Sequence, residues 1–260
     1  MSLFHPFRDH RRKALADRPF PPEWLAIIVR NVPYVRALHT DERKHLEELI
    51  QIFIAEKNFE GCGGLEEVTD EMRVTIAAQA CLLLLNLPLS YYDRLSSVLI
   101  YPEGFAYDRE TSGETGIVTA ERVPVSGLSS GGGAVALSWP DALAGSRHPG
   151  DGSNVILHEF AHQLDQLDDA MDGAPALDTV AQYREWARVL GEEYARLRSE
   201  ATLGIPSLIG PYAATLPAEF FAVVTELFFE RPRELKQQHP ALYDELRQYY
   251  RQDPAARSIE

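Results

Sequence analysis

Apolar and polar positions divide this chain into a mixed first part and a helical second part. The first forty residues carry prolines at 6, 19, 21, 22 and 33, a spacing that predicts short elements and turns. From Thr40, Leu46, Leu49, Ile50, Phe53 and Ile54 recur at helical intervals, with Asp41 and Glu42 at the positive end of the helix dipole. Gly61, Gly63 and Gly64 break that pattern. A second helix is predicted from about Thr69, its N-cap, with Asp70 and Glu71 in the first turn and Pro88 marking its end. Its later part, AAQACLLLLNL, is apolar nearly all round and predicts a central buried helix. Residues 96–101, 117–125 and 134–139 read as strands, and Ser126 to Gly133 as a flexible loop. Pro140 and Asp141 close the last strand. Helices follow at roughly 153–169, 178–200 and 216–230, with two more beyond Pro232. The layout is α+β: a small mixed sheet, then a mostly helical C-terminal half, in one domain over 1–260 with about 1–40 as an extension packed on it.

Composition narrows the function. Hydrophobic residues are 45% and charged residues 25%, ordinary for a globular protein with a substantial core. Lys and Arg number 25 against 39 Asp and Glu, a formal charge of -14 that argues against nucleic-acid binding. The short cluster Arg11, Arg12, Lys13 does not reverse it. Cys62 and Cys81 are too few for a disulfide framework and form no CxxC pair, so both are expected as reduced thiols, Cys81 in the core. MSLFHPFRDHRRK lacks the long apolar stretch of a secretory signal, and Ala77 to Leu87 is too short to span a bilayer. A cytoplasmic protein outside the membrane is expected.

The chemistry concentrates in NVILHEFAHQLDQLD. His158-Glu159-Phe160-Ala161-His162 satisfies HExxH. Residues four apart share one face of a helix, so both imidazoles can reach one metal ion, with Glu159 beside it as a general base. Val155, Ile156, Leu157, Phe160, Ala161 and Leu164 give the helix an apolar setting. A buried histidine pair with no partner would be costly, which weighs against two chance histidines.

A catalytic zinc site normally has three protein ligands and an open position. No HxxGxxH extension follows His162. The segment PYAATLPAEFFAVVTELFFERP offers Glu219 near the start of an apolar helix and Glu226 two turns on, on the same face. Periodicity leaves both open, as ligands or as solvated carboxylates. Asp165, one turn beyond His162, is a candidate to orient an imidazole. His148, in a Gly/Pro loop, reads as a surface residue. Asp165, Asp168, Asp169 and Asp172 do not fit an EF-hand loop, so calcium is not expected. AVALSW is a candidate edge strand for pairing with an extended peptide.

The stretches VTDEMRVTIAAQACLLLLN, VALSWPDAL, NVILHEFAHQLDQLD and PAEFFAVVTELFF together resemble the Mlc titration factor A family of gluzincin-type zinc metallopeptidases. The HExxH and AEFFA arrangement is also similar to the protease domain of anthrax lethal factor. The resemblance implies a zincin-like fold, one zinc per chain, and the glutamate of AEFF, Glu219, as third ligand. It also implies that Tyr212, seven residues before that glutamate, points at the site and stabilises an oxyanion. It implies hydrolysis of short peptides, including aminopeptidase-type activity, and a second role of a different class: sequestering a Mlc-like transcriptional repressor. An intact Glu159 favours the enzyme, since a pure binder has no need of a general base.

Overall fold

The proline-bearing N-terminal stretch forms two short helices, α1 (Pro6–Ala16) and α2 (Pro22–Asn31), the short elements that its prolines predict. Each helix begins at its proline, where the missing N–H costs nothing and the fixed φ favours the first turn. The structure, a computed structural model, describes residues 6–112, 118–130 and 133–257. The expectations for Ile117 and for Gly131 and Gly132 fall outside those residues.

Helix α3 (Thr40–Glu56) follows the predicted spacing, and Glu42 accepts a hydrogen bond from the His39 peptide at its start. Arg12 of α1 pairs with Glu56 of α3 through two bonds of 2.9 and 2.7 Å. After β1 (Asn58–Gly61) the chain enters α4 (Asp70–Leu83), capped by Thr69, whose hydroxyl accepts from the Met72 peptide at 3.3 Å. As its composition predicts, α4 is buried almost throughout, with Ile76, Ala77, Ala80 and Cys81 fully inaccessible.

Five strands follow: β2 (Ser97–Tyr101), β3 (Phe105–Ser112), β4 (Val118–Val125), β5 (Gly127–Ser130) and β6 (Ala134–Ser138). The main sheet has the order β1-β2-β6-β5, with β5 antiparallel to β6 and the other pairs parallel, while β3 and β4 form a separate antiparallel pair. Two expectations change here. AVALSW is not an edge: β6 is laddered on both sides, with Val135 and Leu137 fully buried. The edge is β5, inside the stretch read as a flexible loop. Gly127, Leu128, Ser129 and Ser130 carry almost no alternation, and their order comes from the backbone ladder to β6.

The remainder is helical: α5 (Trp139–Arg147), α6 (Val155–Asp165), α7 (Val180–Leu203), α8 (Pro217–Glu230), α9 (Pro232–Gln238) and α10 (Pro240–Tyr250). Helix α5 was not expected; Pro140 lies in its first turn and starts it. The core joins α3, α6 and the turn before β2, where Phe160 meets Phe53 and Tyr92 with ring centroids 5.8 and 5.3 Å apart. Full burial of a phenylalanine stabilises by about 1.5–3 kcal/mol, so Phe160 anchors α6 from the face opposite its imidazoles. No helix among the described residues is long and apolar enough to cross a membrane.

Candidate metal centre

Helix α6 starts at Asn154, in extended conformation, whose Oδ1 accepts the Leu157 peptide N–H at 3.2 Å. Ile156, Leu157, Phe160, Ala161 and Leu164 are all fully buried, which fixes the rotation of the helix. His158 and His162 then point to one place, with their Nε2 atoms 3.2 Å apart. Helix α8 opens with Pro217 at its first position and brings Glu219 to the same point. Glu219 Oε2 is 3.0 Å from His158 Nε2 and 3.6 Å from His162 Nε2. Among the described residues, His158, His162 and Glu219 are the group of such side chains able to hold a metal ion.

These separations fit a cation. Donor atoms about 2.0–2.1 Å from zinc at tetrahedral angles lie about 3.3–3.4 Å from one another, close to the spacings seen. Three lone-pair donors converge, and one proton can bridge only two of them. The electrostatics agree. Burial disfavours the His158 imidazolium, yet the bonds to Glu219 and Glu226 override it and raise that group well above the usual histidine range. Burial likewise works against the Glu219 carboxylate, and the two histidines hold it well below the usual range. The cluster favours positive charge at its centre.

Glu226 does not join the cluster. Its Oε1 accepts from His158 Nδ1 at 2.8 Å, which directs the other ring nitrogen, Nε2, toward the centre. Its Oε2 accepts the Asn154 peptide N–H at 2.5 Å. Asn154 therefore caps the helix bearing both histidines and holds the carboxylate that orients one of them. Asp165 is buried, but its hydrogen bond comes from the Gly173 peptide at 3.0 Å and not from an imidazole. Gly173 has φ of 80°, and a Cβ there would lie 2.5 Å from the Pro217 carbonyl oxygen. Asp165 thus fastens the loop on which the start of α8 rests. His148 is exposed at the end of α5, bonded to the Ala144 carbonyl, and is not part of the cluster.

Glu159 is 5% exposed and lies under the edge strand. It accepts a hydrogen bond from the Ser129 peptide, and burial, with repulsion from Glu219 and Glu226, pushes its pKa up to about 7 against the pull of His158. A Cβ on Gly127 would sit 2.5 Å from Glu159 Oε1, so this close approach of strand to carboxylate requires glycine. Gln163 donates to the Ser129 hydroxyl at 2.5 Å, tying α6 to β5 a second time. Tyr212 lies in the turn Pro211–Ala214, 59% exposed, with its ring centroid 6.2 Å from that of His158.

A family model described as glucose-regulated metallo-peptidase M90 matches residues 7–251, nearly the whole chain that builds this centre. The chain belongs to that family. An uncharacterized protein of Synechocystis is 42% identical over 95% of this chain and 90% of its own length. The proteins called Mlc titration factor A in Klebsiella pneumoniae and Salmonella arizonae are each 34% identical. They cover 88% and 90% of this chain and 86% and 93% of their own lengths. Membership of a metallopeptidase family implies a metal, and the cluster on α6 and α8 is a group able to hold one.

The sequence reading did not single out Asn154, Ser129, Gly127, Gln163 or Glu230. The sequence predicts a helix from about 153 with Asn154 inside it; the helix begins at Val155, and Asn154 caps it. Glu230 follows Glu226 by one turn on the same apolar helix. The reasoning that flags Glu226, a carboxylate among phenylalanines, applies to it equally.

Proposed function

We propose that this chain is a zinc peptidase, with the metal held by His158, His162 and Glu219 in one zincin-like domain on which the first forty residues pack. The observation that carries this is the convergence of the three donor atoms at 3.0, 3.2 and 3.6 Å. Zinc held there would supply a Lewis acid that lowers the pKa of water to about 7 and polarises the scissile carbonyl. Glu159 takes the proton of the attacking water and delivers it to the leaving amine. Glu226 keeps His158 in the tautomer whose Nε2 faces the centre. Tyr212, at the rim, donates a hydrogen bond to the developing oxyanion, a contribution of about a hundredfold or more in turnover. The outer edge of β5 offers backbone donors and acceptors to an extended peptide beside Glu159. We assign it short peptides, with cleavage of the aminopeptidase type.

The test is metal content and hydrolysis of aminoacyl and short-peptide reporters by the purified protein, before and after chelation and zinc replenishment. About one zinc per chain, with activity that leaves and returns with the metal, supports the proposal. Zinc-independent hydrolysis, or no hydrolysis of any reporter, contradicts it.

The names of the relatives at 34% identity favour a second reading, capture of a Mlc-like repressor. The formal charge of -14 suits a basic DNA-binding face. Binding of such a repressor that persists in Glu159→Gln would separate this role from catalysis; no binding at micromolar concentrations would remove it.

A further inference from the structure

A cavity of about 620 Å³ opens at the end of α8 away from Glu219. Glu230, which it contains, stands about 16 Å along the helix from Glu219, at 1.5 Å per residue. Its volume falls within the roughly 300–1,000 Å³ of small-molecule sites. The walls are apolar, with Leu82 and Phe229 nearly inaccessible, Tyr34 partly so, and prolines beside them. Arg231, Arg233 and Arg257 line it as well.

The charges in this cavity run against those of the chain. In a protein of formal charge -14, three arginines line this cavity beside two carboxylates, Glu234 and Glu230. Arg231 is engaged by Glu234, and Arg257 by Glu42 at 2.7 Å. Arg233 has no carboxylate within 4.0 Å among the described residues; its hydrogen bond is a long one, 3.5 Å, to the Arg257 carbonyl. Glu230 is 6% exposed and accepts from Tyr34, from the Gly150 peptide at 2.6 Å and from Asn154 Nδ2 at 3.1 Å. Burial raises its pKa to about 8 against the Gly150 bond, which weakens its repulsion of an anion near neutral pH. The peptidase chemistry uses none of these groups, and a perturbed carboxyl in a cleft marks a candidate site.

We propose that this cavity binds a small organic anion, its apolar body against Tyr34, Pro149 and Pro232 and its carboxylate or phosphate head on Arg233. The site does not depend on the peptidase reading. Its occupant would lie at the far end of a buried chain of bonds, Glu230 to Asn154 to Glu226 to His158, that reaches the metal centre.

Titration calorimetry on the intact protein with phenyl phosphate, phenylacetate, inorganic phosphate and phenol tests it. At least one of the two organic anions is expected to bind one per chain, with inorganic phosphate and phenol each about tenfold weaker or more. Arg233→Ala, at an exposed position, should weaken that binding about tenfold through loss of a charge-assisted bond. Ala37→Trp, which fills the cavity from its wall, should abolish it, while Glu219→Ala should leave it intact. Absence of binding by both organic anions at millimolar concentration overturns the proposal. So does binding unchanged in Arg233→Ala, or lost in Glu219→Ala with Arg233→Ala unaffected, since either places the anion elsewhere.

Discussion

Glu219 and Glu230 sit about three turns apart on α8, both largely withdrawn from water, and their charge states diverge. Two imidazoles face Glu219, and it stays ionised well below the usual carboxylate range despite its burial. A peptide N–H, an amide and a phenol face Glu230, and burial lifts it to about 8. Burial alone therefore does not decide what a carboxylate on this helix does. The partner across the gap decides: a cationic centre keeps the charge, and neutral donors do not repay its desolvation. Between the two, Glu226 spends one oxygen on His158 and the other on Asn154, so one helix carries a glutamate within the histidine cluster, one bonded to His158 from outside it and one whose pKa burial raises.

The largest effect should follow from removing Glu219, the proposed ligand. Glu219→Ala is expected to lower zinc affinity by more than about a hundredfold, beyond the range for an outer partner, read by competition with a chelator. Retention of zinc with unchanged affinity would erase the distinction between the two ends of α8.

Glu226→Gln should act more mildly. Both Glu226 oxygens accept hydrogen bonds, so an amide must turn its NH2 toward either His158 or the Asn154 peptide. Zinc affinity should fall about ten- to a hundredfold, with the fold kept. An unaltered affinity would mean that His158 needs no orienting carboxylate.

The smallest effect belongs to Glu230. Its pKa rises from 4.5 to about 8, so the folded protein holds a proton that the unfolded chain releases. That stability is present in full below about pH 4.5 and is lost as pH rises through about 8. Glu159 and Asp165, raised to about 7 and 6, contribute with the same sign in lower windows, and Glu219 with the opposite sign at acidic pH. Glu230→Gln should cost about 1 kcal/mol near pH 6, where the Gly150 N–H needs an acceptor, and should flatten the decline toward pH 8.5. Urea midpoints at the two pH values read this directly. Equal slopes in variant and wild type would mean that Glu230 is ionised throughout.

What the sequence made legible follows a physical line. HEFAH could be read because two histidines one turn apart need nothing beyond helix geometry to converge, and α4 because its apolar run leaves no solvent face. Glu219 was one of two open candidates by periodicity, and a family resemblance was needed to choose it. Choosing from first principles requires the crossing of α6 and α8, a tertiary quantity set by contacts such as Asp165 with Gly173. Strand β5 was illegible because Gly-Leu-Ser-Ser has no alternation of its own and owes its order to the backbone of β6. Asn154 was invisible as a hub because its importance lies in its partners Glu226, Glu230 and Gln79, all distant in sequence. Helix α5 is hidden in the sequence because Pro140 reads as the close of a strand where it opens a first turn.

In the proposed chemistry Glu159 serves the reaction and not the metal. The most direct measurement is zinc content beside peptide hydrolysis for wild type and Glu159→Gln under one protocol. About one zinc per chain is expected in both proteins, with turnover reduced by at least about a hundredfold in the variant. Zinc lost together with activity, or hydrolysis unchanged with zinc in place, would contradict it.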